Sequence, residues 1–499
     1  MESNIVIAPV LINLLTAVLL LFLWQKSRMQ RWLSLAGNTV MLLFAIYLLQ
    51  RVAHGEILVM QGGKWAAPYG ITFVVDAFSA LMILLTSISG LAVGMYSTVS
   101  IKSKRVAFGF YPLLQFLLMG LCGSFIAGDI FNLYVWFEVI LISSFVLITL
   151  GGEREQLAGA MKYVTLNLLA SVIFLTAIAV LYGALGSLNL ADLAIKVRET
   201  ENISLINTIA VLFLVSFGLK AAIFPLYFWL PDSYHTPPIA ISAIFGGLLT
   251  KVGVYAFIRV FSLLFISDIF IRDLLLVLST ATMIVGALGA INAKNVRIIF
   301  SFLIISHIGF MLGGLALFSK VALTGAIMYM THDILAKTNV FLIIGILYKI
   351  KGNYHLDYLG GIMKDYPKLT TLFSITLFAI VGTPPLSGFW PKLALLKASF
   401  AAEQIMLLAG IILASFLTLW AVVRFWSGVF WTDGVNEDAS LNIFGQLRFR
   451  RKLGLLGGVV LLTLCILLLS FFWPFVMRYC ELIAQQLMDP KDYINSVLK

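Results

Sequence analysis

The sequence predicts an all-α polytopic membrane protein of about fourteen transmembrane helices, and three observations predict it. Of 499 residues, 61% are hydrophobic and 11% are charged, whereas soluble domains average about 45–50% apolar and about 25% charged. The apolar residues are gathered into runs of about twenty, the length that crosses a bilayer as a helix. The Lys and Arg between the runs alternate in density along the chain, as loops on opposite sides of a membrane do. This composition excludes a soluble globular enzyme, a disordered chain and a disulfide-stapled secreted domain. Cys122, Cys465 and Cys480 have no metal-ligand spacing and read as apolar fillers.

Taken in order, the runs give α1 at 5–24, α2 at 33–50, α3 at 71–97, α4 at 108–127, α5 at 129–150, α6 at 163–183 and α7 at 205–230. They continue with α8 at 239–262, α9 at 272–291, α10 at 298–318, α11 at 323–348, α12 at 369–401, α13 at 405–430 and α14 at 454–477. No basic segment precedes the first run near Ile5, so it reads as a span and not as a cleaved signal. More than half of the 34 Lys and Arg lie in loops after odd-numbered helices, including Lys26, Arg28, Arg31, Lys102, Lys104, Arg105, Lys294, Arg297 and the cluster at 448–452. That bias puts the odd loops in the cytoplasm and both termini outside. It also accounts for the net charge of +11 through topology and anionic headgroups, without nucleic acid.

Two of the helices are broken. Pro225 and Pro231 interrupt α7, and Pro384, Pro385 and Pro391 interrupt α12. Proline lacks the amide donor and clashes with the carbonyl four residues back, so Pro225 is expected to free the carbonyl of Ala221, and Pro384 and Pro385 those of Ile380 and Val381. Freed groups at membrane depth belong in protein interior or beside water. The breaks echo each other, Pro225-Leu226…Phe228-Trp229-Leu230-Pro231 against Pro385-Leu386…Phe389-Trp390-Pro391, about five helices apart. An odd number of intervening helices makes two such units inverted, as in secondary transporters with sites between repeats. The expected units are α4–α8 (108–262) and α9–α13 (263–430), after three N-terminal helices (1–107) and before a loop, α14 and a tail (431–499). Two unrelated proline kinks are the simpler alternative.

Ionisable groups deep in the runs are the candidate site. Placing one at a helix centre costs at least about 2.5–3.5 kcal/mol on insertion scales. Glu138 in α5, Lys220 in α7, Lys251 in α8, Lys337 in α11 and Lys392 after the α12 break sit mostly too deep to snorkel. A buried lysine that gains and loses a carboxylate partner can take up and release a proton. Glu138–Lys220 is the natural switching pair, with Lys251 and Lys392 as relay stations; a static pair that locks helix packing is the alternative. On α11, Asp333 and Lys337 are four apart and can face each other, while His332 points elsewhere and suits a relay or a packing hydrogen bond. His307 carries a weaker expectation. Asp76 and Asp129 read as ordinary helix-start carboxylates, with Asp129 near an outer mouth, and Asp232 and His235 are placed at a cytoplasmic entrance. No catalytic nucleophile, phosphate loop, metal cluster or dinucleotide fingerprint is present, so the expectation is a transporter subunit without cofactor or metal, driven by an ion gradient or a partner.

At these residues the chain resembles the proton-pumping, antiporter-like membrane subunits of respiratory complex I, membrane-bound hydrogenases and Mrp-type cation/proton antiporters. The resemblance is carried by Asp76-Ala-Phe-Ser-Ala-Leu-Met, Asn132-Leu-Tyr-Val-Trp-Phe-Glu138, Lys220 to Asp232, Lys251, Thr331-His332 to Lys337, and Pro384-Pro385-Leu-Ser-Gly-Phe. Length, the lysine at 392 and the absence of a long C-terminal extension make it most similar to the D-type subunits of Mrp complexes. The resemblance implies ion-translocation roles for Glu138, Lys220, Lys251, His332, Lys337 and Lys392. It also implies partner membrane subunits in a hetero-oligomer, exchange of Na+ or K+ against protons, and residence in the bacterial cytoplasmic membrane. Two other function classes stand beside it: a proton-pumping subunit of a redox complex (NADH-quinone oxidoreductase or membrane-bound hydrogenase), and a scaffold whose buried charges fix packing.

Overall fold

In the computed structural model, which describes residues 2–433 and 442–499, the apolar runs fold as helices packed side by side. Residues 434–441 of the loop placed before α14 lie outside the described residues. Among the described residues ten helices are long and apolar enough to cross a membrane: α2 (Ser27–Val52), α3 (Ala77–Ser100), α5 (Ile130–Thr149), α6 (Arg154–Leu185), α7 (Ile203–Ala221), α8 (Ile239–Leu264), α9 (Ile269–Asn292), α10 (Val296–Leu317), α13 (Ile405–Trp431) and α14 (Phe449–Phe471). Three further apolar helices are shorter: α1 (Ala8–Phe22), α4 (Phe110–Ile126) and the first part of α12 (Pro367–Val381). Helix α11 (Lys320–Lys351) is 32 residues long and carries His332, Asp333 and Lys337 in its middle.

Burial sorts these helices into a centre and a shell. Every residue of α8 from Ile239 to Leu264 is buried, as is every residue of α11 from Ala322 to Leu347. A helix buried on all sides must find partners for every polar group it carries, and these two carry most of the deep charges. In contrast, α2, α6, α13 and α14 expose apolar side chains such as Leu43, Val172, Phe416 and Leu464 on their outer faces, the surface that hydrocarbon would cover. Glycines set the closest approaches. A Cβ at Gly286 of α9 would lie 2.3 Å from the Ser306 amide nitrogen of α10, so these two helices meet backbone to backbone.

Three boundaries differ from the sequence expectation. The first residues of the run at 71–97 are a strand, Thr72–Val75, paired antiparallel with Leu58–Gln61 so that Leu58 faces Val75 and Gln61 faces Thr72. Its β-branched residues favour the extended form, and Asp76 then starts α3 through a capping box with Ser79. Near the C-terminus, the run at 454–477 is split at Phe472: α14 stops at Phe471, and Pro474 sits in the first turn of a new helix, α15 (Trp473–Met488), followed by α16 (Lys491–Leu498). Helix α6 begins nine residues before position 163, at Arg154, because the expected boundary excluded its charged first turns.

The two broken helices match residue by residue at an offset of 160. Helix α7 ends at Ala221 and resumes at Trp229–Tyr234; α12 ends at Val381 and resumes at Phe389–Ala401. The next residue takes the left-handed conformation in both, Ala222 with φ 61° and Gly382 with φ 86°. The Ile223 amide donates to Gly218 O at 3.0 Å, and the Thr383 amide to Phe378 O at 3.2 Å. Both helices therefore close with the same left-handed cap, ahead of the prolines and not through their rings.

A buried ion pair ties the strand end to the chain's C-terminus. Arg259 of α8 meets Asp76 with both guanidinium nitrogens, at 2.6 and 2.8 Å. The Tyr493 ring of α16 lies 5.5 Å from the guanidinium, and Tyr479 of α15 donates to Ala77 O at 3.1 Å. Asp76 is thus a cap and an ion-pair partner at once. Removing one member of a buried pair strands the other, so Arg259→Met is expected to lower unfolding stability by about 3–5 kcal/mol. A thermal unfolding comparison in detergent checks this, with Arg259→Lys expected to lose less.

Candidate functional site

The deep charges form two clusters separated by the wall of α8. In the first, Lys220 donates to Ser171 Oγ of α6 at 3.2 Å and lies 5.1 Å from the Phe137 ring. It borders a cavity of about 20 Å³, large enough for one water, lined also by Tyr163, Asn167 and Trp229. Glu138 and Lys220, read from the sequence as a pair that gains and loses contact, are apart in this structure: among the described residues Lys220 has no ion pair, and Glu138 Oε1 is buried without a hydrogen-bond partner. Glu138 lies on the helix face that also carries Phe131, Val135 and Ile142, which are exposed. Glu138 as a whole is half-buried, at the edge of that exposed face, with Oε1 inside the protein, and Lys220 turns to Ser171.

The second cluster is organised by Asp333, which the sequence placed only as a neighbour of Lys337. Asp333 Oδ2 is 2.6 Å from Lys251 Nζ, and Asp333 Oδ1 is 2.6 Å from His307 Nδ1 and 3.9 Å from Lys337 Nζ. All four side chains are completely buried. Lys251 reaches across because of the local form of α8. A π-helical turn runs over Phe245–Leu249, a form that frees carbonyls from the regular ladder. Lys251 Nζ donates to a carbonyl of this turn, Gly246 O, at 3.1 Å. At Gly247 a Cβ would lie 2.0 Å from Thr338 Oγ1 and 3.0 Å from Ile334 O, so the missing side chain lets α8 close on α11. On the opposite side of α8, a Cβ at Gly253 would lie 2.8 Å from the Ala221 amide nitrogen. The helix thus touches the α7 break with one face and Asp333 with the other.

The chain of groups continues to the α12 break. The ring of Tyr329 stands 5.3 Å from that of His307 and 6.2 Å from that of His332. His332 Nδ1 is 2.8 Å from Ser387 Oγ in the break, and a Cβ at Gly388 would lie 3.0 Å from His332 Nε2. Lys392 donates to Val381 O at 2.7 Å and lies 5.3 Å from the Phe310 ring. The carbonyl at the end of the first half of α12 is therefore taken by the lysine of the second half. Among the described residues His307 Nε2, Tyr329 OH, His332 Nε2 and Lys337 Nζ are buried without hydrogen-bond partners, and buried polar atoms of this kind are normally met by water.

The remaining candidates are dispersed. Asp129 accepts from the Asn132 amide at 2.6 Å as a helix cap and borders a surface cavity with Tyr69, Tyr182 and Ser187. Asp232 pairs with Lys162 at 2.5 Å, and His235 Nδ1 is 2.6 Å from Pro231 O. The loops after α3, α5, α7, α9 and α11 share one large cavity, and those after α2, α4 and α6 share the cavity at Asp129. Alternating loops thus open on separate mouths. Among the described residues no group of His, Cys, Asp and Glu could hold a metal ion.

A helical membrane protein with a buried line of acids, lysines and histidines between two broken helices has the architecture of an ion-translocating subunit. The chain belongs to the NADH:quinone oxidoreductase/Mrp antiporter transmembrane family, whose model matches residues 127–418. It is 41% identical over 499 residues to the D-type subunit of the Na(+)/H(+) antiporter of Alkalihalophilus pseudofirmus, covering 100% of both chains. Its structure matches a chain in the Mrp complex from Dietzia sp. DQ12-45-1b with a TM-score of 0.93 and 29% identity, over 100% of this chain and 99% of that one. A chain of the archaeal membrane-bound sulfane sulfur reductase complex matches with a TM-score of 0.87 at 23% identity, over 99% of each chain, a likeness of fold.

The close packing at Gly247 gives a direct test. Gly247→Ala is expected to push α8 from α11 and to reduce ion exchange at least tenfold. Thr338→Ala in the same chain opens the contact and is expected to restore part of it. Exchange and complex assembly measured for the single and double variants check both expectations.

Proposed function

We propose that this chain is the proton-translocating subunit of a multisubunit Na+ (or K+)/H+ antiporter, placed in the bacterial cytoplasmic membrane with both termini outside. Fourteen spans in two inverted five-helix units, α4–α8 and α9–α13, are part of this reading, and the matched breaks at an offset of 160 support it. The observation that carries it is the sharing of Asp333 by Lys251, His307 and Lys337 in a fully buried site. One carboxylate compensates one cation. A second cation on the same oxygens would be buried without a counter-charge, so the basic groups hold a proton in turn and not together. Protons would pass along Glu138, Lys220 and Lys251, through Asp333 with His307 and Lys337, and past His332 to Lys392.

Partner subunits follow from Glu138. An acid on a face otherwise made of exposed Phe131, Val135 and Ile142 is costly against lipid, and a neighbouring membrane subunit that covers it removes that cost. Identity of 41% to a Na(+)/H(+) antiporter chain favours a gradient-driven antiporter over a redox-driven pump, since the redox-complex neighbour shares the fold at 23% identity. As for a scaffold, a static ion pair needs one cation for one carboxylate, and here three basic groups share Asp333.

Sodium-dependent proton exchange in vesicles carrying the whole complex tests the reading. Glu138→Ala, Lys220→Ala and Asp333→Asn are each expected to lower exchange at least tenfold while the complex still assembles. Normal exchange in all three assembled variants would remove the relay.

A further inference from the structure

A wide cavity lies away from the proton line, where the loops after α3, α5, α7, α9 and α11 meet. It measures about 700 Å³, and its wall carries Lys102, Arg105, Arg297 and Lys349 against Glu153 and Glu155. Arg105 and Glu153 pair with each other at 2.6 Å. That leaves three cations facing one carboxylate.

Arg297 is the informative group. It is 9% exposed, its Nε has no hydrogen-bond partner, and among the described residues it forms no ion pair. Its guanidinium stacks 3.7 Å from the centre of the Tyr354 ring. The Tyr354 phenol, its pKa pushed up to about 12 by burial, stays neutral and supplies no negative charge. A buried guanidinium with no carboxylate in contact is costly, Glu155 and Glu153 acting on it only from a distance, and a planar fork of donors held against a ring is preorganised for a tetrahedral oxyanion. The wall holding it is fixed: the Val296 amide donates to Tyr354 O, and the Leu356 amide to Lys294 O, both at 2.9 Å. Helix α10 also begins here, at Val296, and turns the positive end of its dipole toward the cavity.

We propose that this cavity binds a phosphate-bearing anion, with Arg297 as the anchoring donor and Lys102 and Lys349 closing around the phosphate. The chemistry is that of an anionic lipid headgroup or of free phosphate. It is independent of the transport reading, since none of these side chains belongs to the proton line.

The test uses the whole complex in nanodiscs. Retention of phosphatidylglycerol against phosphatidylcholine is followed by native mass spectrometry, and the effect of inorganic phosphate by thermal unfolding. The expected result is a several-fold loss of phosphatidylglycerol retention in Arg297→Gln and in Lys349→Gln, with phosphatidylcholine retention unchanged. Stabilisation by millimolar phosphate that both variants lose, without lipid selectivity, would support the site and assign it to free phosphate. Lys349→Gln keeps the Arg297 stacking and so covers the case in which Arg297→Gln does not assemble. Equal retention of both lipids together with no phosphate effect would overturn the proposal, as would an acidic segment of another subunit cross-linked into the cavity.

Discussion

A single carboxylate facing three basic side chains in the interior is the constraint around which the centre of this protein is built. Asp333 cannot satisfy Lys251, His307 and Lys337 all in their charged forms, and hydrocarbon offers no counter-ion. The two helices that carry most of these groups, α8 and α11, are accordingly buried on every side, and the less polar helices form the outer wall. The π-helical turn of α8 and the glycine at 247 bring Lys251 and α11 together at this centre, while the left-handed caps close α7 on the other face of α8 and α12 beside His332 and Lys392. Local departures from regular helix thus occur where the charges need partners.

The broken helices show how one local device serves two purposes. The same cap geometry recurs in α7 and α12, yet the lysines differ in position. Lys220 precedes its break and turns to Ser171, whereas Lys392 follows its break and reaches back to Val381 O. A matched backbone with unmatched side chains fits a duplicated frame whose halves have taken different parts of one task.

Much of this was legible in the sequence because it rests on local chemistry. Run length marks the helices, and proline with glycine marks the interruptions. The offset between two Pro-Leu and Phe-Trp groups already pairs the breaks. What escaped depends on contacts between distant segments. Asp333 was visible as a neighbour of Lys337 at helical spacing, but its meetings with Lys251 and His307 join three helices and leave no trace in periodicity. Arg259 stands in the sequence as a charge near a helix end, because its partner Asp76 is far away in the chain. Glu138 and Lys220 were legible as a pair that could make and break contact, but the hydrogen bond of Lys220 to Ser171 on α6 was not. The strand at Thr72–Val75 was hidden because a strand and a helix separated by a single charged residue, Asp76, read as one apolar run.

The clasp of α15 and α16 over Arg259 has a consequence for biosynthesis. Tyr493 leaves the ribosome long after Asp76, the acidic member of the pair it covers. Until α16 is in place, that arginine and aspartate lack their aromatic cover. This seam therefore closes only when α16 docks, and a chain truncated before Lys491 would present it open to the membrane insertion machinery.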